Sequence, residues 1–114
     1  GQQHTCGITN GGVLKCWGFN FAGQIGDGTT VTKVSPTVID GGTNYAEVSL
    51  GATHTCGITV AGDLKCWGAN NAAQLGDGSL SNRTSPVDIG GATLYSKVSA
   101  GSVNSCAITT GGEL

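Results

Sequence analysis

The chain has 114 residues, the length of one ordinary domain, with room for a single compact core but not for a two-domain enzyme. Only 11% of residues are charged, and the formal net charge of −2 comes from 5 basic and 7 acidic residues that do not cluster, which argues against nucleic acid or anionic lipid as a partner. No apolar run approaches the roughly 20 residues of a membrane helix, so membrane insertion is not expected, and at 38% hydrophobic the chain is no charged disordered tail.

Along the chain the elements repeat. HTCGIT at 4–9 recurs at 54–59, LKCWG at 14–18 at 64–68, and GDG at 26–28 at 76–78. Ser35-Pro36 returns as Ser85-Pro86, and Tyr45…Val48-Ser49 as Tyr95…Val98-Ser99. At a shift of 50, residues 1–50 and 51–100 agree at 27 positions without a gap. A third copy starts at Gly101 and stops at Leu114, where a continuation resembling KCWG is expected. The organisation read from this is repeat 1 over 1–50, repeat 2 over 51–100 and a truncated repeat 3 over 101–114. The chain opens on Gly1 rather than Met, consistent with a processed product or a piece of a longer chain.

Within a repeat, short β-branched runs (THTCGIT, VLKCWG, PTVID, YAEVSL) lie between Gly- and Asn-rich turns, and no window carries the stripe of an amphipathic helix. The expected fold is all-β: propeller blades of about four antiparallel strands, in two full repeats plus the start of a third. A three-stranded blade with PTVID as an irregular edge is the alternative, since Pro36 and Pro86 suit an edge. Between the first two runs, Asn10-Gly11-Gly12, Val60-Ala61-Gly62 and Thr110-Gly111-Gly112 keep Gly at the third site only, as a type I turn plus a left-handed residue requires. That loop pairs Thr9 with Val13, Ile8 with Leu14, Cys6 with Cys16, and Cys56 with Cys66. Trp17 then faces away from Ile8 and Leu14, opposite Thr5 and near Gly7. Both faces carry apolar groups, so the sheet is expected to lie between two others.

The recurring string WGxNxxxQ(I/L)GDG(T/S)…SP…Y…VS.G..HTC resembles the repeat of the regulator-of-chromosome-condensation family of β-propellers, in a cysteine-containing bacterial style. Trp17-Gly18, Gln24-Ile25-Gly26 and Gly51…His54 carry the resemblance, with equivalents at Trp67-Gly68, Gln74-Leu75-Gly76 and Gly1…His4. It implies a ring of about seven blades acting as a binding platform. Eukaryotic members bind chromatin and catalyse guanine-nucleotide exchange through loops and charged surfaces that have no counterpart here. Similar bacterial propellers inhibit β-lactamases by protein contact, again through no motif matched in this chain.

The five cysteines allow disulfides, free buried thiols or metal ligation. Nine residues intervene within each pair, unlike a zinc knuckle, and directly opposed strand positions come near disulfide distance. Disulfides Cys6–Cys16 and Cys56–Cys66 are expected, placing the protein outside a reducing cytosol, with Cys106 unpaired in this chain. His4 and His54 read as turn-capping or packing residues, with metal or acid–base chemistry as the alternative; the third copy has Asn104 there. Asp27 and Asp77 read as Asx-turn residues, with calcium as the alternative. No metal or cofactor is expected. No nucleophile elbow, phosphate loop or carboxylate pair points to catalysis, so the chain is read as no enzyme.

Where the repeats differ, binding specificity can reside. TTVTKV at 29–34 becomes SLSNRT at 79–84, while Phe19 and Phe21 become Ala69 and Asn71. Phe19, Phe21, Lys33, Asn71 and Arg83 are therefore the candidate binding-loop residues. The two Phe side chains read equally as packing under a loop, and the two cations as solvated. Asn82-Arg83-Thr84 also matches a glycosylation acceptor. The leading function is a non-catalytic, secreted or cell-surface protein-binding platform, part of a six- to eight-bladed chain. The alternatives are a self-assembling subunit of a surface filament or sheath, and an inhibitor or regulator of a partner enzyme. Two blades cannot close a ring, so the open faces call for further blades of the same chain or for homo-oligomers.

Overall fold

A computed structural model describes residues 3–91 and 93–110. The chain is all-β, as expected. Among the described residues nine strands run in order: β1 (His4–Ile8), β2 (Leu14–Gly18), β3 (Lys33–Val38), β4 (Tyr45–Leu50), β5 (His54–Thr59), β6 (Leu64–Gly68), β7 (Arg83–Ile89), β8 (Tyr95–Ala100) and β9 (Ser105–Thr109). They form three antiparallel sheets of order β1-β2-β3, β4-β5-β6-β7 and β8-β9. The four-stranded middle sheet is a complete propeller blade.

The register follows the turn chemistry. Ile8 pairs with Leu14, Cys6 with Cys16 and Thr5 with Trp17, and β5–β6 repeats this with Ile58–Leu64, Cys56–Cys66 and Thr55–Trp67. Gly12 and Gly62 close the two turns at φ of 89° and 96°, where a side chain would be strained. Both cysteine pairs are disulfides with Cα atoms 4.1 Å apart, the pinch of a non-hydrogen-bonded pair, and Cys106 is a free, exposed thiol.

Sheets and sequence periods are out of phase. β4 lies at the end of the first fifty residues but pairs with β5, and β8 pairs with β9. Each period thus ends in a strand that belongs to the following blade, which ties consecutive blades together through the covalent chain. The edge strand is irregular, as expected, but starts earlier than the sequence indicates: β3 and β7 begin at Lys33 and Arg83, carry Pro36 and Pro86 along the sheet edge, and pair with β2 and β6 through a register shift. Lys33 and Arg83, placed in a loop by composition, are therefore strand-initiating residues.

The core lies between blades rather than within one. Leu14, Cys16, Ile25 and Ile39 pack on Tyr45 and Trp67 of the next sheet. The opposite face of that sheet supplies Cys56, Ile58, Leu64 and Cys66, which pack with Leu75 on Val98 of β8. Trp67 and Cys66 therefore face different neighbours, as period-two alternation demands.

Candidate functional site

The long connections after β2 and β6, residues 19–32 and 69–82, lie at the end of the blades opposite the tight Gly12 and Gly62 turns. Each is built around a fully buried asparagine. Asn20 Nδ2 donates to the carbonyls of Thr29 (2.9 Å) and Val31 (3.0 Å), and its Oδ1 accepts from the Ile25 amide at 2.9 Å. Asn70 repeats this with the Ser79 and Ser81 carbonyls, both at 3.0 Å, and the Leu75 amide at 3.1 Å. Gln24 and Gln74 fold back so that Oε1 accepts the amide of Ala22 or Ala72, both at 2.9 Å.

Asp27 and Asp77 are Asx-turn residues as expected, accepting the amides of Thr29 (3.0 Å) and Ser79 (2.9 Å). Each also takes a cation from the start of the next strand: Lys33 Nζ lies 3.1 Å from Asp27, and Arg83 Nε 2.8 Å from Asp77. Arg83 and the Ser79 hydrogen bonds hold the Asp77 carboxyl far below the usual carboxylate range against burial. Burial works to raise Asp27, but hydrogen bonds from Thr29 and Lys33 outweigh it and keep it low. Both groups stay ionised at neutral pH, so the turn locks weaken only in strong acid.

These contacts divide the five candidate residues. Lys33 and Arg83 remain partly exposed to solvent, and each is ion-paired, with Asp27 and Asp77 respectively. Phe19 and Phe21 come together on the surface, with centroids 6.0 Å apart at 18°, and Phe21 is 79% exposed. Asn71, at the Phe21 position of the second repeat, is exposed, as are Val31 and Leu80 at the loop tips. The asparagine hubs were not singled out from the sequence, although their recurrence at the fifty-residue shift was the available signal. Asn70→Ala should lower stability by about 2–3 kcal/mol, since it strands two carbonyls and an amide, and should speed hydrogen exchange at Leu75. Urea denaturation and amide exchange check this.

Of the two expected roles, turn-capping or packing, the histidines take the second: both are buried between sheets. His4 Nε2 lies 2.9 Å from Thr55 Oγ1 on the next sheet, and His54 Nε2 lies 2.9 Å from Ser105 Oγ. Thr55 donates its hydroxyl hydrogen to the Gln24 carbonyl at 2.8 Å, and Ser105 donates to Gln74 at 2.7 Å. With that hydrogen committed, each histidine must donate from Nε2. Elsewhere Asp40 joins blades by accepting from Tyr45 (2.8 Å) and Lys65 (3.0 Å). Among the described residues no group of three or more His, Cys, Asp or Glu side chains could hold a metal ion.

A repeated blade with buried loop hubs and variable loop tips defines a propeller scaffold. The regulator of chromosome condensation (RCC1) repeat matches at residues 11–58, and a second profile of that description at 45–74. The chain belongs to the RCC1-like repeat family. Human WBSCR16 is similar in structure, with a TM-score of 0.84 and 19% identity over 96% of this chain. Yeast RCC1 (Prp20) in its complex with Kap60 gives 0.80 and 24% identity over 98%. Prp20p of Saccharomyces cerevisiae gives 0.77 and 24% over 96%. These likenesses establish the fold, a partial propeller, and the chain spans 29–30% of the length of those structures. No curated protein matches in sequence.

Proposed function

We propose that this chain is a non-catalytic, extracytoplasmic protein-binding platform whose specificity resides in the variable tips of the loops after β2 and β6. The observation that carries the reading is the exposed Phe19–Phe21 stack on a loop whose frame repeats in the second blade without it. A scaffold residue recurs with the scaffold, whereas an exposed aromatic pair present in one copy is free to serve recognition. Proteins of similar fold engage protein partners: yeast RCC1 binds Kap60, and Prp20p has binding properties toward Gsp1p and histones. Three of the five cations are committed to internal ion pairs, which supports an apolar protein surface rather than a phosphate backbone as the partner. The two disulfides support an oxidising compartment.

Phe19→Ser with Phe21→Ser should weaken capture of the partner by at least about thirty-fold, the effect expected of two aromatic anchors. The measurement is quantitative capture from the native source on the immobilised chain, with Val60→Ser as control. Val60 is 67% exposed on the turn at the opposite end of the blade, so its loss should change nothing. A captured set that is the same with and without the Phe pair would remove this loop from the interface.

A further inference from the structure

The structure assigns a second role to the two histidines: we propose that each is an acid-sensitive latch that holds the binding loop of one blade against the next. The inference deepens the platform reading by giving its rim a regulation. The latch is a chain of three groups across a joint. His4 of the first sheet donates to Thr55 of the second, and Thr55 donates back to the carbonyl of Gln24, the residue that shapes the loop carrying Phe21. His54, Ser105 and Gln74 repeat it at the next joint. His4, Thr55 and His54 are buried, and the Gly28 amide of the same loop reaches the Thr84 carbonyl of β7 at 2.7 Å. Loop position and histidine charge therefore share one interface.

Because Nε2 already carries its hydrogen, acid adds a proton at Nδ1 and places a full charge in the joint. The charged groups around it offer no relief. His4 faces His54 of β5. The carboxylate of β4, Glu47, is turned to β8, where it accepts the Val98 amide at 3.1 Å. His54 faces Ser105 and the Asn104 backbone, while the titratable groups of β8 and β9 are Tyr95, Lys97 and Cys106, none of them a carboxylate. Burial above all, with His54 beside it, lowers the His4 pKa from 6.5 to about 4, opposed by the His54 backbone, and burial lowers His54 as well. A closed-state pKa below the open-state value means that the open joint binds more protons as pH falls. The latch is therefore at full strength above about pH 6.5, weakens steadily below it and reaches its limit near the closed-state value of His4. Between pH 7.5 and 5.0 the opening constant of the His4 joint should rise about thirty-fold.

Hydrogen exchange on the oxidised chain tests this without a partner, so the latch can fail while the platform reading stands. After correction for intrinsic rates, the Gly28 and Ile25 amides should lose protection about thirty-fold between pH 7.5 and 5.0, while the Cys66 amide in β6 should not. In His4→Gln the amide nitrogen can still donate to Thr55 but cannot be protonated, so protection at Gly28 should become independent of pH. Unchanged protection of Gly28 in the wild type, equal loss at Cys66, or acid sensitivity surviving in His4→Gln would each overturn the proposal. If that variant does not fold, an NMR titration of wild-type His4 decides: a midpoint well below 6 supports the latch, and one at 6.5 or above overturns it.

Discussion

Trp67→Ala should destabilise the chain by about 3–5 kcal/mol, whereas Trp17→Ala should cost less than half as much. The two tryptophans occupy the same place in the repeat and the same register, opposite Thr55 and Thr5. Trp67 is fully buried between blades, edge-on to Tyr45 with centroids 6.3 Å apart, and forms part of a core built from both sheets. Trp17 is only half-buried, so its truncation leaves no comparable cavity. Gly26→Ala should reproduce much of the Trp67 loss from the other side of the joint. Its φ of 89° disfavours a side chain, and a Cβ there would come within 2.5 Å of Trp67 Nε1. Urea denaturation of the three variants checks the ranking, and equal costs for the two tryptophans would mean that the inter-blade core does not dominate stability.

Reduction of both disulfides should lower stability by about 5 kcal/mol, comparable with the whole margin of a small domain. Each bridge closes a loop between cysteines 10 residues apart, worth about 2–3 kcal/mol in lost chain entropy of the unfolded state. Cys16 and Cys56 are fully buried on the faces that form the two inter-blade cores, so each bridge also fixes packing between sheets. Near-UV circular dichroism and the urea midpoint, with and without reductant, measure the effect. A reduced chain with an unchanged midpoint would leave the bridges as bystanders and weaken the argument for an oxidising compartment.

The platform reading joins these energetics to function. The buried asparagine hubs and aspartate–cation locks hold the loop frame, leaving the tips free to differ between repeats. Lys33 and Arg83 differ in type between the repeats yet serve that frame, since either cation satisfies the aspartate six residues before it. Variation alone therefore picked out loop tips and loop braces together.

The sequence by itself determined the repeat, the strand type, the hairpin register and the cysteine pairing. All of these depend on local chemistry: a glycine required at one turn position, alternation along a strand, and two residues brought opposite by a three-residue loop. The tertiary structure decided the rest. It assigned β4 and β8 to the blade that follows them, made Trp67 a core residue and Trp17 a half-exposed one, and settled the histidines' role as packing, at joints between sheets, rather than turn-capping. It also moved Lys33 and Arg83 from the loop into strand-initiating ion pairs. Each outcome depends on a partner that is distant in the chain or lies on a neighbouring sheet. A repeating sequence presents the same local pattern at every copy, so only packing between sheets can make equivalent residues unequal.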